Sequence, residues 1–142
     1  MKDVLFALDN VNKTTWRFSV AAMSHELAHN MEYVNPHIRK RCVEFLNYRT
    51  ANRPPVSLNR LWLSSPHIKE EQKKIYPNGP YKRDETAKPD DFFDPYCGKT
   101  YPDGMTEIFS TGVEFLVTNP QKFMQIDPEY FYFIVGLMRG EL

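Results

Sequence analysis

The chain has 142 residues, enough for one domain with its own hydrophobic core, and its 42% apolar and 25% charged residues are ordinary for a globular protein. Its 18 basic and 18 acidic side chains cancel, so no whole-chain charge draws it to nucleic acid or a membrane surface, and no apolar run is long enough to span a bilayer. Two cysteines, Cys42 and Cys97, make no disulfide framework and suit a reduced, intracellular setting, while MKDVLFALDN, with one lysine and an early acidic turn, is a poor signal peptide.

The first 13 residues read as a short strand or ordered arm, VLFAL, and a polar turn. Thr14 or Thr15 suits the N-cap of a helix that runs to about Val34, since a threonine hydroxyl accepts from an exposed N–H of the first turn. Phe18, Ala21, Ala22, Leu27, Ala28, Met31 and Val34 cover more than half of its circumference, the pattern of a buried helix. Asn35-Pro36 ends it, because proline disfavours the α region for its predecessor. A second helix is predicted over about His37 to Thr50, with Ile38, Cys42, Phe45 and Leu46 at core spacing. Its basic residues Arg39, Lys40, Arg41 and Arg49 read as a solvated face.

From Ala51 to Pro89 prolines interrupt every pattern, and loops with a short strand or a helical turn are expected; a segment of this kind is often functional. DDFFDPYCGKTYPDGM, residues 90 to 105, combines aromatics with turn residues and is expected to fold onto the active site. A third helix is predicted from near Thr106 to Thr118, closed by Asn119-Pro120. Asp127-Pro128 opens the last, an acidic cap followed by proline at the first helical position, and Gly140 ends it.

The chemistry concentrates in Ser24-His25-Glu26-Leu27-Ala28-His29. Four residues apart on a helix, His25 and His29 project from one face, one above the other. That spacing lets two imidazoles bind one Zn²⁺, with Glu26 in reach of a water on the metal, as in the H-E-x-x-H of zinc metallopeptidases. Two histidines and a glutamate in an otherwise apolar helix also need partners, because buried polar groups are costly when unsatisfied. Catalytic zinc takes a third protein ligand and leaves a fourth position for water. Glu107, in the first turn of an otherwise apolar predicted helix, is the preferred third ligand; Glu114, two turns along the same face, is the runner-up. Thr111, one turn after Glu107, is placed to hydrogen-bond a ligand.

The metzincin extension is absent, since Glu32 and Asn35 stand where its glycine and last histidine belong, which points to a site of two histidines and one glutamate. Glu32 reads as a surface residue more readily than as a buttress for a ligand. His37 and His67 lie near prolines in polar stretches and are not assigned to the metal. Cys42 reads as core, and Cys97, beside a glycine, as a loop residue or a metal contact. Tyr96 and Tyr101 flank it; packing is the simpler reading of both, and a donor to the oxyanion of a tetrahedral intermediate the sharper one.

SHELAHNME, then DPYCGKTYPDGMTEIFSTGVEFL and DPEYFYFIVGLMRG, resembles zincin-like metallopeptidase domains of phage origin, which often lie at the C-terminus of minor-head, MuF-like proteins. The resemblance covers His25 to Gly140, with little from residues 51–89. In that family the glutamate after the Y-x-G-K-x-Y segment is a metal ligand, which maps to Glu107. The catalytic domain of anthrax lethal factor is similar, with a second glutamate one turn after the ligand, where this chain has Thr111. Zincin folds usually place a β-sheet before the active-site helix, but only 24 residues precede His25. Either the sheet is reduced, built from VLFAL and pieces of 55–101, or the chain is the C-terminal domain of a longer phage protein, which an ending at RGEL suits.

The expectation is therefore a mainly helical α+β, zincin-like domain over residues 1–142, acting as a gluzincin-type zinc metallopeptidase. Zn²⁺ would be held by His25, His29 and Glu107, with Glu26 as the base that lets a zinc-activated water attack a peptide bond. Its partner would be a protein or peptide substrate and, by the resemblance, other domains of a phage structural protein; no nucleic acid or membrane is expected. The resemblance implies a bacterial-host cytoplasmic or virion-associated location. The alternative is a catalytically silent zincin scaffold with a structural or interaction role in a phage head protein.

Overall fold

The computed structural model describes residues 13–142, with side chains from Val20 onward. The expected strand over Val4–Leu8 and the side chains of Thr14, Thr15 and Phe18 lie outside the described residues. Among the described residues are seven α-helices, one short 3₁₀ helix and two short strands, so the protein is mainly helical with a small sheet. No described helix is long and apolar enough to cross a membrane. The chain divides into two compact units, one formed by the segment ending at Val34 together with Phe109–Leu142, the other by Asn35–Ile108.

The first unit carries α1 (Lys13–Val34). Its inward stripe is Ala28 and Glu32, both buried, with His25 and His29 half-buried beside them; the spacing i, i+3, i+4, i+7 is one helix face. Leu27, Met31 and Val34 fall on the opposite face and are 59%, 44% and 65% exposed. The expectation of a helix buried on most sides is corrected for the described side chains: the apolar residues ring it, but among those from Val20 onward the buried positions lie on the histidine and glutamate face.

Downstream in the same unit lie α5 (Ile108–Thr118, whose first residue belongs to the second unit), α6 (Pro120–Ile126) and α7 (Pro128–Met138). α6 was not expected. Asn119-Pro120 not only stops α5 but starts the next helix, because the Asn119 side chain accepts from Lys122 N and proline at the first position gives up no needed donor. Asp127 caps α7 in the same way through Tyr130 N. At the other end Gly140 takes φ +71°, with Glu141 N donating to Gly136 O and Gly140 N to Leu137 O, the paired bonds of a Schellman ending. Phe123 is the hub of this core, stacked on Phe115 at 4.8 Å and edge-on to Tyr130 at 5.2 Å. At Gly112 an added Cβ would lie 2.5 Å from Ile134, so glycine permits the close approach of α5 to α7.

The second unit opens with α2 (Pro36–Arg49), capped by Asn35, whose side chain accepts from His37 N and Ile38 N. Ile38, Cys42, Phe45 and Leu46 are its buried face, as the spacing predicts. Arg49 is not solvated. Its guanidinium pairs with Asp90 at 2.8 Å and lies over the Phe92 ring at 4.8 Å, because Asp90 and Phe92 return from 41 and more residues away. The 51–89 segment holds more order than loops: β1 (Val56–Ser57), α3 (Leu58–Ser64), α4 (Glu70–Ile75) and β2 (Thr86–Ala87). Ser57 caps α3 through Arg60 N, and Leu58 and Trp62, one turn apart, are its buried residues. β1 and β2 pair antiparallel, Val56 with Ala87 and Ser57 with Thr86. Ala87 bridges on its other side to Lys99, so the small sheet among the described residues falls within 55–101.

Candidate metal centre

In the first unit, helical register alone brings His25 and His29 together: their ring centroids are 4.7 Å apart at 74°. Glu114, on α5, places Oε1 3.6 Å from His25 Nδ1. A carboxylate facing Nδ1 favours a proton there and leaves Nε2 as the lone-pair nitrogen. Ala21, Ala22, His25, Glu26 and Glu114 line an open cleft of about 430 Å³, and the Glu26 side chain is exposed at it. The two alanines are what keep this wall low.

In the second unit the feature is Glu107. It is 1% exposed and stands one residue before α5 rather than in its first turn, because Thr106 Oγ1 accepts from Ile108 N and the helix starts there. Tyr96 Oη donates to Glu107 Oε1 at 2.9 Å, Tyr101 Oη donates to the same oxygen at 2.5 Å, and the two hydroxyls are 3.4 Å apart. Tyr96 and Tyr101 thus bring the 95–101 segment onto Glu107. The tyrosines do more than pack: both hydroxyls are spent on a carboxylate. Burial, then the charge of Glu107, pushes the Tyr96 phenol up to about 12, and burial followed by the bond to Glu107 raises Tyr101 as well. Both stay protonated donors at neutral pH.

Tyr96 is held by the 3₁₀ helix Pro95–Gly98, which Asp94 caps by accepting from Tyr96 N; burial raises the Asp94 carboxyl above its ordinary range. Three residues that the sequence did not single out complete the surroundings. Lys99 places its ammonium 4.7 Å from the Tyr101 ring centroid and 5.3 Å from that of Tyr96, and pairs with Glu85. Tyr81 stacks on Tyr96 at 5.6 Å and 12°. The signal available was the alternation of tyrosine and lysine in Tyr96-Cys97-Gly98-Lys99-Thr100-Tyr101; the partners Glu85 and Tyr81 come from a strand approach no local pattern announces. Glu85, Thr86, Lys99 and Tyr101 also line a cleft of about 570 Å³.

The hydrogen bond from Lys99 holds the Glu85 carboxyl below its ordinary range, against a smaller opposing effect of desolvation. A carboxyl depressed in the folded state adds stability that is full above its unfolded pKa and is lost as pH falls through the folded one. Glu85→Gln is therefore expected to lower Tm at neutral pH, with the gap to wild type closing as pH drops below the ordinary glutamate range. Thermal melts of both proteins across pH 3–7 check this; a gap that is constant with pH would remove the pair from the acid response.

Of the other candidates, Glu32 is fully buried, which corrects its reading as a surface residue; it follows His25 by seven and His29 by three on the inward face of α1. Thr111 is buried, and its Oγ1 finds no hydrogen-bond partner among the described residues. Cys42 is core, as read, and Cys97 is equally buried rather than a loop residue. His37 is exposed, and His67 pairs through Nε2 with Asp91 at 2.9 Å. Comparison with protein-family models, with curated proteins and with solved structures finds no match for this chain.

Proposed function

We propose that this chain is a zinc-dependent metallopeptidase of the gluzincin type, with a zincin-like arrangement in which His25, His29 and Glu107 are the metal ligands and Glu26 the general base. The observation that carries the reading is the pair of adjacent imidazoles on one face of α1 with Glu26 exposed at the cleft beside them. The donor set fits the metal: two imidazoles and one carboxylate are ligand types of catalytic zinc.

Zinc, when bound, supplies a Lewis acid for the peptide carbonyl and for the attacking water. The remaining work falls to the chain. Glu26 takes a proton from that water on its carboxylate and returns it to the leaving amine. The Glu114 carboxylate, 3.6 Å from His25 Nδ1, favours the tautomer that would leave the other ring nitrogen free for the metal. Ala21 and Ala22 leave room along the cleft for a polypeptide, the proposed substrate class.

Elemental analysis of the purified protein tests the ligand set. About one zinc per chain is expected in wild type, by the one-site stoichiometry of such centres, and it should be lost or sharply weakened in His29→Ala and in Glu107→Ala. Zinc retained in Glu107→Ala but lost in Glu114→Ala would move the third ligand to Glu114. A wild-type protein that takes up no zinc on reconstitution would sink the reading.

A further inference from the structure

We infer that Tyr96 and Tyr101 are positioning residues that clamp Glu107 as a ligand, with Lys99 holding both rings, and that they serve the ligand rather than the oxyanion of the reaction. The inference rests on the zinc reading above and adds to it a set of residues that decide metal affinity.

Both phenols converge on one oxygen, Oε1 of Glu107, from two different supports: Tyr96 from the capped 3₁₀ helix, Tyr101 from the strand-like segment after it. Two donors on one oxygen fix where the carboxylate plane points, since rotating it breaks both bonds at once. The rings in turn have little freedom. The Lys99 ammonium sits over both faces, tied by Glu85; Tyr81 covers Tyr96, and Asn59 pins the Tyr81 backbone by accepting from its N–H and donating to its C=O, each at 2.9 Å. Ordering that is built into the fold is not paid again when the metal arrives. Hydrogen-bond partners of ligating groups typically change metal affinity by about 10–100-fold when removed. A hydroxyl already donating to a buried carboxylate is also poorly available to an oxyanion, which needs a donor aimed at the substrate.

The test is a chelator-competition titration of zinc on the full chain, for wild type, Tyr96→Phe, Tyr101→Phe and the double variant, with the visible spectrum of the Co²⁺-loaded proteins beside it. Each single change is expected to weaken zinc by about 10-fold and the double by about 100-fold, with a shifted Co²⁺ spectrum. Lys99→Met, which keeps the aliphatic stem, should weaken zinc in the same direction and by less. A purely structural role would lower the Tm of the metal-free chain without moving the Co²⁺ spectrum, and that result overturns the clamp. So does unchanged zinc affinity with a reduced kcat in Tyr101→Phe, which would assign that hydroxyl to the oxyanion. Wild type without zinc affinity would be a failure of the metallopeptidase reading itself; wild type with zinc and indifferent variants is a failure of the clamp alone.

Discussion

Glu26→Gln is expected to keep the wild-type zinc content and to lose metal-dependent peptide cleavage by about 10²–10⁴-fold, the range that general-base removal usually costs. Glutamine has the shape of glutamate but cannot accept and return the proton of the attacking water. The position also makes the comparison clean. Glu26 is exposed at its cleft, while the neighbouring His25 and His29 are held by the register of α1, so the change removes no buried partner and disturbs no ligand. Initial rates on a peptide library at saturating zinc measure the effect. Equal rates in variant and wild type would take the base assignment from Glu26. Zinc binding without cleavage by either protein would leave a silent zincin scaffold, with a structural or interaction role.

Gly98→Ala is expected to destabilise the protein by about 3 kcal/mol or more, among the largest effects open to a single methyl group. An added Cβ at Gly98 would stand 2.2 Å from Lys88 O, and that neighbour is backbone, not the movable end of a side chain. The strands cannot simply part, because Lys88 N donates to Gly98 O at 2.8 Å and Thr100 N to Thr86 O at 3.0 Å. Relief would come from shifting the 3₁₀ helix, and Tyr96 with it. Zinc affinity should therefore fall together with Tm. Denaturant unfolding and the same chelator titration measure both; a loss below about 0.5 kcal/mol, the scale of a neutral surface change, would contradict the close approach of residues 88 and 98.

Several of these elements can be read directly from the chain because their causes are local. Asp127-Pro128 marks a helix start, since a cap needs only a side-chain acceptor and the next three residues, and the structure places a cap there. Asn35-Pro36 and Asn119-Pro120 read as stops, yet each asparagine also caps the helix that follows it. The pairing of His25 with His29 is equally local, a matter of 3.6 residues per turn. The burial of Glu107 follows from the apolar helix it precedes.

What tertiary structure alone decided is which side of each element turns inward and what meets it there. The residues of α1 are apolar nearly all round, so its sequence does not say that Leu27, Met31 and Val34 face out while Glu32 is buried. Arg49 reads as one of four basic residues on a helix until Asp90 and Phe92 arrive beside it. Tyr96 and Tyr101 read as packing until Glu107 lies under their hydroxyls and Lys99 over their rings. Caps, helical spacing and turn residues act over three or four positions and are written in order along the chain. Burial and hydrogen-bond partners over eleven, fourteen or forty-one positions depend on how the backbone returns, and no local pattern encodes that return.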